Sequence, residues 1–283
     1  MKLFNANASL FIPDGVDENL ALSRTTTLAI SAHQDDIELM AFQGVLDCFG
    51  RADKWFTGVV TADGAGSPRN GLYANYTDEE MKSVRIREQQ KAAFVGDYSA
   101  QFQLGYTSSQ IKNPENTDII DEYIKIIKAT KPEIIFTHNL ADKHDTHMGV
   151  VTKVIKALRK MDKADRPKKL YGGEVWRDLD WVMDDEKVVF DTSEHPNIAN
   201  GVMSVFDSQI CGGKRYDLAA QGRRVANATY FASHGCDTAT GLNYCIDMAP
   251  LIEDDNLDVV EFITGFIDRF RADVISRINK VND

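Results

Sequence analysis

Between residues 25 and 161, short strand-like segments alternate with longer helix-like segments, and this alternation constrains the fold more than any other feature of the sequence. Runs rich in β-branched and apolar residues predict strands at 25–31, 55–61, 100–104 and 132–137. Apolar or amphipathic stretches predict helices at 39–49, 77–96, 118–130 and from about 147 to 161. Strands and helices that alternate at this spacing predict an α/β domain with a mostly parallel sheet.

The sequence after residue 168 follows a less regular pattern. Segments 170–175 and 187–191 are predicted strands, and segments 198–211 and 216–231 are predicted helices. The last helix carries an apolar stripe, which favours packing against the core over the alternative of a partner interface: Val260, Ile263, Ile267, Phe270, Val274 and Ile278. We therefore expect an N-terminal arm over 1–24 and one domain over 25–283. That domain divides into a core over about 25–165 and a C-terminal α+β extension over about 166–283.

The charge balance of the chain excludes several classes of partner. The chain has 32 basic and 43 acidic residues and a net charge of −11, whereas binding to nucleic acids or to anionic membranes needs a basic surface. No stretch approaches the ~20 apolar residues that a membrane-spanning helix needs. The four cysteines form no Cys-x-x-Cys pair, which is typical of reduced thiols. We expect a cytoplasmic protein without nucleic-acid or membrane partners, and a homo-oligomer is compatible with this composition.

Three polar clusters directly follow predicted strands, at residues 33–36, 61–64 and 138–147. Ligands of open parallel sheets bind beyond the carboxyl ends of the strands, where these clusters are expected to meet. The segment 62–77, which is rich in Gly, Asn, Ser and Tyr, is predicted to form a substrate wall or lid. No Gly-x-Gly-x-x-Gly motif follows the first strand, so a dinucleotide cofactor is not expected.

Histidines and aspartates in two of these clusters have the spacing of metal ligands. His33 and Asp36 are three residues apart where a strand gives way to a helix, so both side chains can turn toward one point. His144 and His147 are also three apart, and one of them can bind a metal while the other acts as a donor or acid. Two imidazoles and one carboxylate leave positions open for water and substrate, as in catalytic zinc sites. Asp35 neighbours a ligand without needing to bind the metal itself, which suits a general base.

Several segments have the order of motifs known from one enzyme family. Residues 32–38 read Ala-His-Gln-Asp-Asp-Ile-Glu, and residues 144–147 read His-Asp-Thr-His. Thr-Ala-Asp-Gly follows the second strand, Arg85 and Glu88 lie three apart on the next predicted helix, and residues 208–209 are Ser-Gln. Together these segments resemble the motifs of the PIG-L/LmbE-like N-deacetylases, above all their Ala-His-Pro-Asp-Asp and His-Pro-Asp-His signatures. The resemblance covers about residues 25–225.

The resemblance implies both a fold and an activity. The fold would be Rossmann-like, with three layers. The activity would be that of a zinc-dependent hydrolase that removes an N-acyl group, usually N-acetyl, from an amino sugar or a GlcNAc-containing conjugate. The implied ligands of Zn²⁺ are His33, Asp36 and His147, with Fe²⁺ as the alternative metal.

The resemblance also implies roles for four further residues. Asp35 would be the general base, and His144, which we expect to be cationic, would stabilise the oxyanion or protonate the leaving amine. Arg85 is the predicted substrate contact on the helix that follows the long loop, where its fork of donors could grip a hydroxyl or a phosphate. Asp63 is the second predicted substrate contact.

Three other functions stay open at this point. An amidase acting on a larger N-acyl or thiol conjugate would differ from an amino-sugar deacetylase only in its substrate pocket. An iron(II) oxygenase also uses two histidines and a carboxylate, but its usual all-β jelly roll conflicts with the predicted alternation of strands and helices. A non-catalytic binding protein would be favoured by the loss of Asp35 or His144, and both are present.

Overall fold

A computed structural model describes residues 1–282 of the chain. Its eight strands are β1 (Ser9–Phe11), β2 (Thr27–Ser31), β3 (Phe56–Ala62), β4 (Ala100–Tyr106), β5 (Ile134–His138), β6 (Lys169–Gly173), β7 (Val188–Asp191) and β8 (Leu242–Asp247). Its helices are α1 (Glu18–Ser23), α2 (Asp36–Met40), α3 (Phe42–Cys48), α4 (Asp78–Val95), α5 (Ser108–Lys112), α6 (Asp118–Thr130), α7 (Asp145–Lys160), α8 (Pro196–Ser204), α9 (Asp207–Ile210), α10 (Tyr216–Tyr230), α11 (Pro250–Glu253) and α12 (Val259–Asn282).

All eight strands form one sheet, in the order β1-β4-β3-β2-β5-β6-β8-β7. The five strands from β4 to β6 in this order are parallel to one another. β1 pairs antiparallel with β4, and β8 pairs antiparallel with both β6 and β7. The predicted α/β fold with a mostly parallel sheet is therefore confirmed.

Apolar side chains from both faces of the sheet are buried, as a parallel sheet covered by helices requires. Every residue of β2 and β3 is buried. Because side chains alternate between the faces of a strand, Leu28 and Ile30 of β2 belong to one apolar cluster, and Ala29 between them belongs to another. The first cluster includes side chains of α6 and α7, and the second includes side chains of α2 and α3. The sheet is thus the middle layer of three.

The order in which strands are added to the sheet reverses at the boundary between β2 and β5. β3 and β4 are added on one side of β2, whereas β5 and β6 lie on the other side. Open α/β sheets bind ligands in the crevice that forms at such a switch point, beyond the carboxyl ends of the strands. The segments that leave β2 and β5 are residues 33–36 and 138–147, so the fold brings the two polar clusters together.

Several elements differ from the sequence-based expectation. The predicted helix at 39–49 is two helices, because Ala41 between them has φ −127° and ψ 16°. The predicted helix at 198–211 is likewise divided into α8 and α9. The first 24 residues were expected to be irregular, yet they contain β1 and α1, and β1 completes one edge of the sheet. α5, β8 and α11 were not predicted.

The expectation that the C-terminal apolar stripe packs against the core is wrong for most of α12. Ile263 and Phe266 are buried near the start of the helix. The remaining stripe residues are exposed: Val260, Ile267, Phe270, Val274 and Ile278. An apolar stripe of helical period predicts a helix but does not specify what covers it, so the sequence could not separate the buried first turns from the rest. None of the helices within residues 1–282 has the length and hydrophobicity needed to cross a membrane.

Gly173 fixes the distance between β6 and α2, and its substitution provides a test of this packing. A Cβ atom at Gly173 would lie 2.5 Å from the backbone oxygen of Met40, at the end of α2. Gly173→Ala should therefore lower the free energy of unfolding by about 1–3 kcal/mol, since overpacking must displace a helix backbone. Gly222 of α10 has no heavy atom within 4 Å of such a Cβ, so Gly222→Ala should be neutral or stabilising by up to about 1 kcal/mol. Urea unfolding of both variants measures the difference, and equal stabilities would contradict the packing.

Candidate metal centre

The turn after β2 carries His33 and Asp36 toward the same point. Asp36 is the first residue of α2, and its Oδ2 accepts a hydrogen bond from the backbone N–H of His33 at 2.7 Å. The same oxygen lies 3.2 Å from Nδ1 of the His33 ring. This local contact holds the carboxylate and the imidazole side by side.

His147 joins this pair from the first turn of α7. Its Nε2 lies 3.1 Å from Nδ1 of His33 and 3.3 Å from Oδ2 of Asp36. Three donor atoms thus form a nearly equilateral triangle with sides of 3.1–3.3 Å. Ligand atoms that bind one tetrahedral zinc ion at 2.0–2.1 Å lie about 3.3 Å apart, so the triangle fits a single ion and leaves its other side open.

The charges around Asp36 also suit a cation. Its side chain is buried, which raises the pKa, but the charges and hydrogen bonds of His147 and His33 hold the pKa well below the usual range. Burial lowers the pKa of His147, yet Asp36 and Asp142 together raise it to about 9. The carboxylate is therefore ionised, and the site requires positive charge beside it.

Asp142 stands behind His147 and was not found from the sequence. Its Oδ2 lies 3.4 Å from Nδ1 of His147 and accepts the backbone N–H of Trp176 at 3.1 Å. Its Oδ1 accepts the backbone N–H of His144 at 2.9 Å. A carboxylate behind a ligating histidine orients the ring and increases its basicity. In the sequence Asp142 is one acidic residue in the loop between β5 and α7, and no motif marks it as a partner of His147.

His138, at the end of β5, packs against the triangle without belonging to it. Its Nε2 accepts the backbone N–H of Ala32 at 2.8 Å and lies 3.6 Å from Oδ2 of Asp36. Its ring stacks on that of His147, with 3.8 Å between the ring centroids. Burial and the neighbouring His147 hold the pKa of His138 well below its usual range, so the ring is neutral. His138 thus supports the His147 ring from behind.

His144 caps the N-terminus of α7 and faces the same point. Its Nδ1 accepts the backbone N–H of Thr146 at 3.3 Å, and one ring nitrogen of each of His33, His144 and His147 lies within 4.8 Å of the others. Burial and the charge of His147 lower the pKa of His144. The ring is therefore neutral, not cationic as expected from the sequence, and because Nδ1 accepts, its proton is on Nε2.

Asp35 has a different partner from the adjacent Asp36. Its backbone has φ 89° and ψ −26°, a left-handed conformation that is uncommon outside glycine. Its Oδ2 accepts a hydrogen bond from Nη2 of Arg85 at 2.8 Å. Burial raises the pKa of Asp35 to about 6, and Arg85 acts against that rise. A carboxylate with this pKa can take up a proton near neutral pH.

Arg85 is held by a chain of buried groups. Only 1% of Arg85 is exposed, and it also donates to the backbone oxygen of Gln34 and, through Nη1, to Oε2 of Glu88 at 3.0 Å. The carboxylate of Glu88 accepts both the backbone N–H and the hydroxyl of Ser208, each at 2.7 Å. The Arg-x-x-Glu and Ser-Gln segments therefore meet to hold the guanidinium against Asp35. Arg85 also borders the open cleft, where it stays a predicted substrate contact.

A cleft of about 410 Å³ opens in front of these groups. Asp63 lies on its wall, where Oδ1 accepts the backbone N–H of Ala65 at 3.1 Å and Oδ2 lies 3.4 Å from Nζ of Lys82. Part of the predicted loop, from Asp63 to Pro68, lines one side. Trp176 and Tyr216 from the C-terminal portion line another, and no motif in the sequence pointed to either of them.

Comparison with known families agrees with the motifs. A family model described as PIG-L: GlcNAc-PI de-N-acetylase matches residues 28–158. The resemblance predicted from the sequence is thereby confirmed, since these residues match a PIG-L family domain. The match contains all three corners of the triangle together with Asp35 and Arg85. It supports a deacetylase or hydrolase role. A search of the curated proteins gives no significant match.

Solved structures share the fold over more of the chain. The 4-carboxy-2-hydroxymuconate hydratase GalB from Pseudomonas putida is 15% identical, with a TM-score of 0.61, over 79% of this chain and 96% of that one. The N,N'-diacetylchitobiose deacetylase from Pyrococcus horikoshii is 13% identical, with a TM-score of 0.58, over 78% of this chain and 83% of that one. A zinc-inhibited form of teicoplanin deacetylase is 12% identical, with a TM-score of 0.56, over 79% of this chain and 98% of that one. At these identities the likeness establishes the fold, which carries more than one type of reaction.

Asp142 provides a test of the support behind His147. We expect Asp142→Asn to weaken the binding of Zn²⁺ by about 10–100-fold, because the amide cannot polarise the ring as the carboxylate does. Asp145→Asn is the matched control, since Asp145 is exposed in the same turn of the chain. Competition with a chelator of known affinity measures both variants. Equal affinities in the two variants would show that Asp142 does not support the ligand.

Proposed function

We propose that the protein is a metal-dependent N-deacylase that hydrolyses an N-acyl amino sugar or a related conjugate. The observation that carries this proposal is the triangle formed by His33, Asp36 and His147, with a separate carboxylate, Asp35, on the same turn. Two histidines and one carboxylate hold Zn²⁺ in hydrolases and leave positions open for water and substrate. Fe²⁺ accepts the same ligands. The match to the PIG-L family supports the same class of reaction.

The chemistry divides between the bound ion and the side chains around it. His33, Asp36 and His147 would hold a divalent cation, and the bound ion would lower the pKa of a water toward ~7 and polarise the amide carbonyl. Asp35 accepts the proton that the water loses as its oxygen bonds to the acyl carbon. Asp35 then passes this proton to the nitrogen as the C–N bond breaks, while the neutral ring of His144 donates a hydrogen bond from Nε2 to the developing oxyanion. Water is consumed, and the products are a carboxylic acid and a free amine.

The open cleft is suited to the amine half of the substrate. Its walls are polar along the loop from Asp63 to Pro68 and aromatic at Trp176 and Tyr216. Lys214 lies with its Nζ 5.0 Å from the centroid of Trp176. Sugar rings offer hydroxyl groups to such polar groups and apolar C–H faces to aromatic rings. A thiol conjugate of an amino sugar would bind in the same cleft. An amidase for such conjugates would therefore differ from an amino-sugar deacylase only in the contacts to the group attached to the sugar.

Two other functions predict different products. The α/β fold argues against an iron(II) oxygenase, whose facial triad usually lies in a jelly roll. The assay should also distinguish a hydratase, because one solved structure of this fold is a hydratase. It would add water to a carbon–carbon double bond and release no amine.

The decisive experiment is an assay of the metal-loaded protein against a panel of N-acyl amino sugars. Released acid and free amine are measured separately, and hydrolysis requires equal amounts of both. The panel is run with Zn²⁺, Fe²⁺, Mn²⁺ and Co²⁺ in turn, since a teicoplanin deacetylase of the same fold is described in a zinc-inhibited form. Absence of amine release with every metal and every substrate would refute the proposal.

The two adjacent aspartates should behave differently in this assay. Asp36→Ala removes one corner of the triangle, so metal content should fall and activity should fall with it. Asp35→Asn keeps the size of the side chain but cannot accept a proton. Metal content should then stay near that of the wild type while the rate falls by about 10²–10⁴. Elemental analysis alongside the kinetics separates the two effects, and reversed behaviour of the variants would overturn the assignment.

Arg85 should set the pH at which Asp35 becomes active. Asp35 accepts a proton only when it is ionised, so activity rises as the pH increases through its pKa of about 6. Removal of the cation in Arg85→Met disfavours the carboxylate, and the acid limb of the kcat/KM profile should move to higher pH by roughly 1–3 units. Arg87→Met, two residues along α4 and exposed, is the control. An unchanged acid limb in Arg85→Met, with metal content preserved, would separate Arg85 from Asp35.

A further inference from the structure

A second cavity, of about 200 Å³, meets the open cleft at Asp35 and Asp36. Its walls come from α2, α10, β8 and the segment that follows β6. Trp176 and Tyr216 border both spaces. A substrate amide placed at the triangle therefore has one space on each side, and the smaller one is available to the acyl group.

The smaller cavity exceeds the needs of an acetyl group. Much of its wall is apolar, formed by Leu39, Val175, Ala219 and Ala220. A cavity of about 150 Å³ lined by apolar side chains holds a benzene molecule, which has six carbons. The methyl group of an acetamide would leave most of a 200 Å³ space unfilled. The size of the cavity points to a longer acyl chain.

Arg224 gives this cavity a positive charge that no carboxylate within residues 1–282 contacts directly. It is 7% exposed, and its donors meet only neutral acceptors: Nη2 donates to the backbone oxygen of Glu38 at 2.6 Å, and Nε donates to Oδ1 of Asn243 at 3.3 Å. Its guanidinium carbon lies 4.5 Å from the ring centroid of Phe42. Within residues 1–282 it forms no ion pair with a carboxylate, and Nη1 has no hydrogen-bond partner. Burial lowers the pKa of Arg224 to about 10 although the charge of Glu38 acts against this, so the guanidinium is still charged at neutral pH.

The carboxylates on the same wall are already satisfied. Asp35 accepts from Arg85, and Asp36 lies between His33 and His147. Glu174 has hydrogen-bond donors on both oxygens, from the backbone N–H groups of Leu179 and Tyr244 and the side chain of Asn227. Buried charges are costly without a partner, and Arg224 has none among these groups.

We propose that Arg224 binds a carboxylate at the far end of the acyl chain, so that the substrate is the half-amide of a dicarboxylic acid, such as an N-succinyl or N-glutaryl amine. This inference rests on the proposed deacylase function. The oxygen of water bonds to the amide carbon, the C–N bond breaks, and one proton of the water passes to the nitrogen. The products are the free dicarboxylate and the amine, and no other reactant is needed.

The wild-type protein provides the first test. One amino sugar is acylated with acetyl, butyryl or succinyl groups, and kcat/KM is measured for each. Butyryl has the same chain length as succinyl without the charge. We expect the succinyl compound to exceed the butyryl compound by at least about 10²-fold, since a site built around a buried polar partner rejects analogues that lack it. Hydrolysis of all three at equal rates, or a preference for butyryl, would overturn the inference and leave the deacylase function standing.

Variants of Arg224 then locate the effect. Arg224→Gln should reduce the succinyl-to-butyryl ratio to near one, and Arg224→Lys should restore part of it because the charge returns. Arg277→Gln is the control, since Arg277 is exposed on α12 and pairs only with Asp273. If Arg224→Gln does not fold, as judged by circular dichroism, the lysine variant and the wild-type ratio decide the outcome. A ratio unchanged by Arg224→Lys and Arg224→Gln would refute the role of this arginine.

Binding of free succinate gives a readout that does not depend on catalysis. Calorimetry on the metal-free protein avoids chelation of the ion by the dicarboxylate. Wild-type protein should bind succinate more tightly than butyrate, and Arg224→Gln should lose that preference. If no N-acyl amine of any kind is hydrolysed, the proposed function fails, while the succinate measurement still reports on the charge of the cavity. Equal binding of succinate and butyrate would count against the anion site itself.

Discussion

The ionised side chain of Asp36 is buried at the point where three histidine rings converge, and much of the surrounding structure serves to keep it there. A buried carboxylate is costly unless hydrogen bonds and positive charge surround it. The backbone N–H of His33 donates to its Oδ2, and the rings of His33 and His147 lie within 3.3 Å of that oxygen. The switch point between β2 and β5 makes this arrangement accessible, since two loops leave adjacent strands in the same direction. The switch point of the sheet and the buried charge of Asp36 therefore lie at the same place.

The second constraint is that Asp35 and Asp36, adjacent and both buried, need different partners, because two ions in one buried space repel each other. Asp35 also has a left-handed backbone, which costs of order 1–3 kcal/mol. The ion pair with Arg85 offsets this cost, and Glu88 and Ser208 hold the guanidinium in turn. Two neighbouring aspartates thereby acquire different environments.

The sequence was most informative where a site depends on short-range order. His33 and Asp36 closely follow the buried strand β2, and His147 lies in the first turn of the helix after β5, so their grouping could be predicted from strand ends and from spacing of three. The capping box of Thr77 and Glu80 likewise marked the start of α4. Breaks at Ala41 and between α8 and α9 were missed because apolar periodicity continues through them. Asp142 gave too little signal on its own, since its role depends on contact with a residue 34 positions away.

The walls of the substrate space could not be predicted for the same reason. Arg224 reaches the backbone of Glu38 across 186 positions of sequence, and such a contact exists only once the C-terminal portion has packed against α2. The family match ends at residue 158, so the triangle lies within the match and the walls formed by Trp176, Tyr216 and Arg224 lie outside it. They are nevertheless coupled, because Asp142 holds the backbone of Trp176 with the same carboxylate oxygen that faces His147. A shift in the backbone of the wall would therefore disturb a corner of the triangle, and Arg224 is linked to another corner through the backbone of α2, which begins at Asp36. The metal centre and the wall of the smaller cavity are therefore held in position together, although they come from different stretches of chain.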